Sequence, residues 1–211
     1  MHVEIWSDIA CPWCYVGKRR FEAALAGFEG REDVEVTWRS FELDPGAPRV
    51  RAVDAATHLA DKYGTSREQA EAMHENLAQL GAQDGLELRF DRVRGGNTFD
   101  AHRLVHHAAG HGRQDAMLER LMRAYFTEGG AIGEPATLER LATEAGVDAA
   151  EVIAGDAYAD AVRADERTAA ALGITAVPFF VVDRRLAVAG AQPADVLGEF
   201  LREAATRGAA A

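Results

Sequence analysis

The order of apolar and polar positions in the first forty residues predicts a strand, a helix and a second strand. The apolar residues of 3–7 precede Pro12, and proline is favoured in the first turn of a helix but excluded from its interior. Phe21 and Leu25 follow at helical spacing, and apolar and polar residues then alternate over 34–39, as in a half-buried strand. A helix that links two strands implies a parallel pair with a right-handed crossover.

The middle of the chain has a helical pattern. Ser66 and Gln69 fit a capping box that precedes an apolar helix face. A second apolar stripe covers 118–125, and a third helix is predicted to begin at Pro135. An Ala-rich helix follows over 158–172 and ends at a glycine.

Strand character returns near the end. A continuous apolar run at 179–182 and a short apolar segment at 186–189 flank a polar turn, and Pro193 then opens a final helix. The predicted order is therefore β-α-β, a helical block, and α-β-β-α. This order predicts an α/β fold with a large all-helical insertion.

Length, net charge and the lengths of the apolar runs exclude some classes of function. The chain has 211 residues, enough for one domain with a substantial core. Its net charge is −11 and its basic residues are scattered, so we expect no nucleic-acid partner. We also expect no membrane insertion, because no apolar run is long enough to cross a bilayer.

Cysteine usage indicates the compartment. The chain has two cysteines, Cys11 and Cys14, whereas a secreted protein that relied on disulfides would cross-link distant segments. The first eight residues include Glu4 and Asp8 and do not have the pattern of a signal peptide. We therefore expect a cytoplasmic protein.

The same two cysteines carry the candidate chemistry. A Cys-x-x-Cys motif beside a β-α unit is a redox signature. At a helix N-terminus, Cys11 would face free backbone N–H groups and the positive end of the helix dipole, which stabilise a thiolate. Cys14, one turn further along and less exposed, would resolve a mixed disulfide formed on Cys11.

A metal site is the competing interpretation of these cysteines. A structural zinc site normally has four ligands, and two cysteines supply half of them. Four histidines occur at helical spacing: His102, His106, His107 and His111. No sequence of the type His-Glu-x-x-His is present, and nothing in the sequence places these histidines beside Cys11. We therefore expect no metal.

The sequence resembles the DsbA-like branch of the thioredoxin superfamily, and its cytoplasmic FrnE-like subgroup most closely. The resemblance is carried by CPWCYVG at 11–17, WRSFELDP at 38–45, NTFDAHRL at 97–104 and GITAVPFFVVDRRLAVAGAQ at 173–192. It implies one thioredoxin-like domain over 1–211 with a mixed sheet. Its core would comprise about 1–45 and 158–205, interrupted by a helical insertion at about 50–157.

The resemblance also implies that Val177-Pro178 is a cis-proline loop that faces the two cysteines. Such a loop would hold the Val177 backbone beside Cys11, where its N–H and C=O groups are able to pair with an extended substrate. A proline that merely starts an edge strand is the alternative. Sequence alone does not distinguish a cis from a trans bond.

Four other residues are candidates for the site or its surroundings. Trp13, between the cysteines, is expected to be partly exposed beside Pro12. Asp8 either organises the turn before the helix or accepts a proton, and the turn role is favoured because carboxylate oxygens commonly bind nearby backbone N–H groups. Asn97 and His102 are expected to line a cleft between core and insertion, although His102 is equally compatible with an ordinary core or surface position.

These residues predict a thiol–disulfide oxidoreductase or isomerase that acts on protein thiols or small thiols, as a monomer or homodimer. No cofactor is expected beyond the redox-active cysteines, with glutathione as a possible co-substrate. The alternative is a glutathione-dependent transferase or isomerase of small molecules, related to the kappa-class glutathione transferases and the 2-hydroxychromene-2-carboxylate isomerases, which typically have Ser at the position of Cys11. A third hypothesis is a redox-silent chaperone or metal-binding module.

Overall fold

A four-stranded mixed sheet forms the centre of the computed structural model, which describes residues 1–209. The strands lie in the order β2-β1-β3-β4, where β1 is His2–Ser7, β2 is Glu35–Ser40, β3 is Phe179–Val182 and β4 is Leu186–Ala189. β1 and β2 are parallel, as predicted, whereas β3 runs antiparallel to both β1 and β4.

Nine helices complete the part of the chain that the structure describes. They are α1 (Pro12–Ala26), α2 (Ala55–Tyr63), α3 (Arg67–Gln83), α4 (Phe99–Ala109), α5 (Gln114–Arg123), α6 (Pro135–Glu144), α7 (Ala150–Ala154), α8 (Ala159–Ala171) and α9 (Ala194–Ala209). A π-helical turn, Ala124–Glu128, continues α5. The mixed sheet and the helices between β2 and α8 confirm the predicted fold class.

Local sequence signals explain several of these boundaries. The Ser66 side chain accepts a hydrogen bond from the Gln69 N–H, and the Gln69 side-chain oxygen accepts one from the Ser66 N–H, so the predicted capping box begins α3. Past the end of α8, Gly173 has φ +70°, a left-handed conformation that glycine adopts without strain. Asp183 and Arg184 also have positive φ and form the tight turn between β3 and β4.

The central strand β1 is buried on both faces of the sheet. Ile5 packs in the main core with Phe180 and with side chains of α1 and α9, whereas its neighbour Trp6 packs with Val181 and with Ala169 of α8. Successive residues of a strand point to opposite faces, so helices cover β1 on both sides. This burial holds the end of β1, where the cysteine motif begins, in a fixed position.

The inserted helices share the main core with the sheet. One continuous cluster of buried side chains joins Val3 and Ile5 of β1 to Leu104 of α4 and Leu121 of α5. The α2–α3 pair is called the roof hairpin (residues 55–83) below. Its helix α3 packs against the margin of this core through Leu77, Ala78 and Leu80, whereas α2 packs principally against α3. In the described part of the chain, no helix is long and apolar enough to cross a membrane.

The elements that were not predicted from the sequence include α2, α7 and the π-helical turn. α2 buries only two alanines, Ala56 and Ala60, so it lacks a stripe of large apolar residues. α7 is five residues long, too short for a periodic pattern to register. The π-helical turn at 124–128 requires one extra residue per turn, and nothing in the local composition marks that change.

Candidate active site

Cys11 occupies the N-cap position of α1. Its backbone is extended, with φ −93° and ψ 112°, and Pro12 follows in the first turn. The Cys11 N–H donates to the carbonyl oxygen of Asp8 at 3.1 Å, which closes the turn between β1 and α1. No acidic residue lies in the first turn of α1, so the positive end of the helix dipole is not neutralised near the Cys11 sulfur.

Cys14 lies one turn further into the helix and is fully buried, whereas Cys11 is 5% exposed. Both cysteines are free thiols. Burial raises the pKa of the Cys14 thiol well above its ordinary value, and a hydrogen bond with Cys11 raises it further, while the Asp8 backbone and the Ser7 hydroxyl lower it. Cys14 therefore stays protonated and has no exposed surface, whereas Cys11 keeps 5% of its surface exposed.

The Val177-Pro178 loop faces the cysteines. Its peptide bond is cis, and the Val177 carbonyl oxygen lies 3.8 Å from Cys11 Sγ, within reach of a weak S–H···O contact. The loop precedes β3, which pairs with β1. Two adjacent strands of one sheet thus bring the cysteine motif and the proline loop together, although 166 positions separate them in sequence.

Asp8 organises the turn that leads to Cys11. Its Oδ1 accepts from the Ala10 N–H at 3.3 Å, and its Oδ2 accepts from the Leu43 N–H at 2.8 Å. The carboxylate thus ties the loop after β1 to the loop after β2. These contacts match the turn role that the sequence favoured, and they leave Asp8 almost completely buried.

A buried lysine fixes the other side of α1. Lys18 is almost completely buried and pairs with three carboxylates: Glu22 of its own helix, and Asp115 and Glu119 of α5. Burial opposes its charge, but these carboxylates prevail and raise the pKa of Lys18. Because these ion pairs join α1 to α5, the helix that carries both cysteines is anchored to the insertion as well as to the sheet.

A cleft opens beside the cysteines. It has a volume of about 510 Å³ and is lined by Cys11, Pro12 and Trp13 on one side and by residues of the roof hairpin on the other. Trp13 is 45% exposed, in agreement with the expected partial exposure. The cleft is called the insertion cleft below.

Asn97 and His102 were expected to line this cleft, but neither side chain belongs to its lining, and His102 instead has the core position that was the alternative. Asn97 is occupied in holding its own loop: its Oδ1 accepts from the Phe99 N–H, and its Nδ2 donates to Glu42 and to the Pro45 carbonyl. His102 is buried behind the wall, with Nε2 3.5 Å from Asp8 Oδ1. Asn97 therefore supports its loop, whereas His102 packs in the core beside Asp8.

Most of the lining of the insertion cleft was not predicted. It includes a cluster of large side chains from the loops and helices of the insertion: Leu43, Val53, Leu59, Tyr63, Met73, Leu77, Leu80, Phe90, Tyr125 and Phe126. The apolar face of α3 was recognised in the sequence, but nothing there indicated that this face points toward Cys11. The nearest available signal was the Gly95-Gly96 pair, which marks a close backbone approach in the cleft wall: a Cβ at position 96 would lie 2.2 Å from the Arg49 carbonyl oxygen.

No cluster of three or more His, Cys, Asp or Glu side chains arranged for a metal occurs among residues 1–209. The histidines that were weighed as ligands have other contacts. His106 lies against Ser40 and Asp165, and His107 contacts the Asp148 carbonyl and the Tyr158 hydroxyl.

Comparison with known proteins gives consistent matches along the chain. The family described as "DSBA-like thioredoxin domain" matches residues 2–202. The protein YwbO of Bacillus subtilis (strain 168) is 31% identical over 188 residues, a match that covers 86% of each chain.

Two solved structures have the same architecture. A probable DsbA oxidoreductase from Streptomyces coelicolor is 52% identical, with a TM-score of 0.92, and the match covers 97% of this chain and 89% of that one. The cytosolic disulfide reductase DsbM from Pseudomonas aeruginosa, solved with GSH, is 22% identical with a TM-score of 0.66, over 96% and 98% of the two chains. At that identity the second similarity concerns the fold.

Proposed function

The chain belongs to the DSBA-like thioredoxin domain family, as the sequence resemblance predicted, and we propose that it is a thiol–disulfide oxidoreductase in which Cys11 attacks and Cys14 resolves. The finer FrnE-like assignment stays a prediction. The observation that carries the proposal is the asymmetry of the two thiols. Cys11 is at the N-terminus of α1 and is 5% exposed in the cleft wall, whereas Cys14 lies one turn further into the helix with no exposed surface and a raised pKa.

The proposed reaction is a pair of exchange steps. The Cys11 thiolate attacks one sulfur of a substrate disulfide, an S–S bond forms between them, and the other substrate sulfur leaves as a thiolate that takes up a proton. Cys14 then loses its proton and attacks Cys11 Sγ, which releases the second substrate thiol and leaves a Cys11–Cys14 disulfide. The substrate gains two electrons and the protein loses two, and the reverse sequence would oxidise a dithiol.

Groups around the two cysteines favour these exchange steps. The helix dipole and the free N–H groups at the start of α1 favour negative charge on the Cys11 sulfur. The raised pKa of Cys14, caused chiefly by burial, keeps that residue protonated in the reduced protein. The Val177 carbonyl beside Cys11 offers an acceptor for a substrate N–H group.

Substrates and location belong to the same proposal. Thiols and disulfides are the substrate class, and the paucity of cysteines indicates the cytoplasm. The Pseudomonas aeruginosa protein is described as a cytosolic disulfide reductase with GSH, which makes glutathione a reasonable first reductant to test.

The decisive experiment is a redox titration. The protein is equilibrated in glutathione buffers of graded ratio, and the state of the Cys11–Cys14 pair is followed by thiol trapping and tryptophan fluorescence. We expect a reversible two-electron transition with a slope of about 30 mV per tenfold change in the equilibrium constant. If no stable intramolecular disulfide forms at any ratio, the proposal is wrong.

A substitution separates the proposed reaction from glutathione-dependent small-molecule chemistry. Cys11→Ser removes the attacking sulfur but leaves a hydroxyl at the helix N-terminus. Dithiol exchange should disappear in this variant. Retention of glutathione-dependent transfer or isomerisation at the wild-type rate would instead favour the alternative.

A further inference from the structure

The insertion cleft has the dimensions of a small-molecule site. Its volume of about 510 Å³ lies within the range of roughly 300–1,000 Å³ that is typical of such sites. Cys11 is part of the wall, and it is only 5% exposed. The cleft therefore gives a bound disulfide a route to this sulfur.

The exposed apolar surface of the protein is concentrated at this cleft. Eight large hydrophobic side chains are exposed in the described chain, and five of them line the cleft: Trp13, Leu43, Val53, Tyr63 and Met73. The other three, Tyr158, Leu172 and Val196, lie elsewhere. A rim of exposed apolar groups around a concave site indicates a ligand that buries apolar surface.

The two histidines of the cleft are also suited to an uncharged ligand. Burial lowers the pKa of His74, and burial together with Arg51 and Lys62 lowers that of His58. Both imidazoles are consequently neutral near pH 7. The His74 ring stacks on Phe90 with centroids 4.2 Å apart and an interplanar angle of 2°, which adds a flat aromatic surface to the wall.

Most charged groups of the cleft are committed to contacts within the protein; the exception is Lys62, which pairs with no carboxylate among residues 1–209 and lies over the Tyr63 ring, with Nζ 5.8 Å from the ring centroid. Asp8 accepts from two backbone N–H groups, Arg51 pairs with Asp44, and Asp54 caps α2 and pairs with Arg67. A polypeptide in this cleft would bring an N–H and a C=O at every residue. The Val177 carbonyl beside Cys11 would accept from one N–H, and each further group that is buried without a partner costs free energy. A molecule without a peptide backbone avoids this cost.

We propose that the substrate of Cys11 is a small, uncharged and largely apolar organic disulfide, whose apolar group binds in the insertion cleft beneath the roof hairpin. This inference rests on the proposed thiol–disulfide activity and specifies its substrate. The Cys11 thiolate attacks the substrate sulfur that carries the apolar group. The other substrate sulfur leaves as a thiolate and is protonated, and Cys14 then releases the apolar thiol as the Cys11–Cys14 disulfide forms.

Binding is tested first without any redox step. The probe is benzyl 2-hydroxyethyl sulfide, a thioether that cannot exchange, and the control is bis(2-hydroxyethyl) sulfide, which lacks the aromatic ring. Calorimetry with the Cys11→Ser, Cys14→Ser double variant should give saturable binding of the benzyl compound and binding of the control at least ~10-fold weaker. Equal affinities, or no binding of either compound, would overturn the proposal.

Matched substitutions locate the binding site. Val53 lines the cleft and is 45% exposed, whereas Val196 is 39% exposed and lies outside it. Val53→Asp should weaken binding of the benzyl thioether at least ~10-fold, because an apolar ring would then desolvate a carboxylate, and Val196→Asp should leave it unchanged. Met73→Glu and Leu172→Glu form a second pair with the same expectation. An equal effect of the two members of each pair would contradict this location.

Exchange is then measured in a single turnover with the reduced wild-type protein. Benzyl 2-hydroxyethyl disulfide and bis(2-hydroxyethyl) disulfide are both alkyl disulfides, so their leaving thiols are similar and intrinsic reactivity should differ little. We expect the benzyl compound to react at least ~10-fold faster in wild type, with the ratio approaching one in Val53→Asp.

The outcomes separate the two proposals. Thioether binding without exchange of either disulfide would refute the thiol–disulfide activity, while the binding site stands. Exchange at equal rates without thioether binding would refute the substrate class and leave the activity intact. A cysteine-containing peptide disulfide that reacts faster than the benzyl disulfide, and is slowed by Val53→Asp, would reassign the cleft to polypeptides.

Discussion

Gly17 lies directly against the ring of Pro178. A Cβ at position 17 would come within 2.8 Å of Pro178 Cγ and 3.4 Å of its Cβ, closer than side chains normally approach. Gly17 is in the second turn of α1, and Pro178 belongs to the loop whose Val177 carbonyl faces Cys11. The lack of a side chain at position 17 therefore permits the close approach of the cysteine helix and the proline loop.

Gly17→Ala should lower both stability and exchange activity. Alanine gains up to about 1 kcal/mol over glycine in a helix interior, but overpacking a tight contact costs about 1–3 kcal/mol, and a proline ring has little freedom to move aside. We expect a net loss of about 1 kcal/mol in unfolding free energy, measured by urea denaturation. Reaction of Cys11 with a model disulfide should slow because the Val177 loop is displaced.

Gly27→Ala is the matched control for this substitution. Gly27 follows the same helix with φ −91°, and its added Cβ would come no closer than 3.8 Å to another heavy atom. Its stability should equal or exceed that of wild type. If the two variants behave alike, the Gly17–Pro178 contact does not limit the approach of these elements.

The strands and the cysteine motif could be predicted because their signals are local. Alternation over 34–39, the apolar run at 179–182 and Pro12 at the helix start each restrict the backbone within a few residues. The Ser66–Gln69 capping box is equally local, and it begins α3 as predicted. Such features depend little on the rest of the fold.

The walls of the cleft could not be predicted in the same way. Met73 and Leu77 belong to an apolar helix face that was recognised in the sequence. Periodicity shows that such a face is apolar, but it does not show which part of the protein the face packs against. The placement of that face opposite Cys11 depends on how the roof hairpin packs in the insertion, a long-range relationship. Asn97 and His102 illustrate the converse: these polar residues of a recognised segment proved to lie behind the wall, where Asn97 supports its loop and His102 packs beside Asp8.

The two thiols should differ in reactivity toward iodoacetamide. Thiolate is the reacting form, and each unit by which the pKa is raised reduces the thiolate fraction tenfold. Burial raises the pKa of Cys14 and also blocks access to it. Cys14 in the Cys11→Ser variant should therefore be alkylated at pH 7.5 at least ~10-fold more slowly than Cys11 in the Cys14→Ser variant.

The control for this comparison is the same reaction in 8 M urea, where both cysteines are exposed and their rates should converge. Mass spectrometry of the wild-type protein provides a second check, since the first label should appear on Cys11. Equal rates for the two folded variants would contradict the asymmetry on which the proposed roles depend.

Asp8→Asn should destabilise the turn that presents Cys11. Each carboxylate oxygen of Asp8 accepts from one backbone N–H, of Ala10 and of Leu43. An asparagine has one oxygen and one NH₂ group, so one of these buried N–H groups loses its acceptor. The expected loss is about 1–3 kcal/mol in unfolding free energy, with slower exchange at Cys11.

Asp44→Asn provides the comparison, because Asp44 is half exposed and forms a surface ion pair with Arg51. Loss of such a pair typically costs about 0–1 kcal/mol. If both variants lose the same stability in urea, the two backbone hydrogen bonds of Asp8 contribute less than the structure indicates.

The half-buried imidazole of His74 should make stability decrease as the pH falls. Burial holds its pKa below the ordinary value of 6.5, so in this range the unfolded chain binds the proton more readily than the folded protein does. The unfolding free energy then decreases as the pH falls from about 6.5 to below the pKa of His74 in the folded state. Above about pH 7.5, His74 makes no pH-dependent contribution to the unfolding free energy. His74→Phe should reduce the loss measured by urea denaturation between pH 7.5 and pH 5.5, and above pH 7.5 the two proteins should differ by a constant amount.

The same protonation should weaken binding in the insertion cleft. A charge on His74 would place a cation in the wall that stacks on Phe90, and an apolar ligand would have to remove water from that cation. The affinity for benzyl 2-hydroxyethyl sulfide should therefore fall below about pH 6 in the wild-type protein, and fall less in His74→Phe. The wild-type affinity could instead be independent of pH while stability is lost at low pH as predicted. His74 would then be protonated without affecting the bound ligand, and the ligand would lie nearer Trp13 than Phe90.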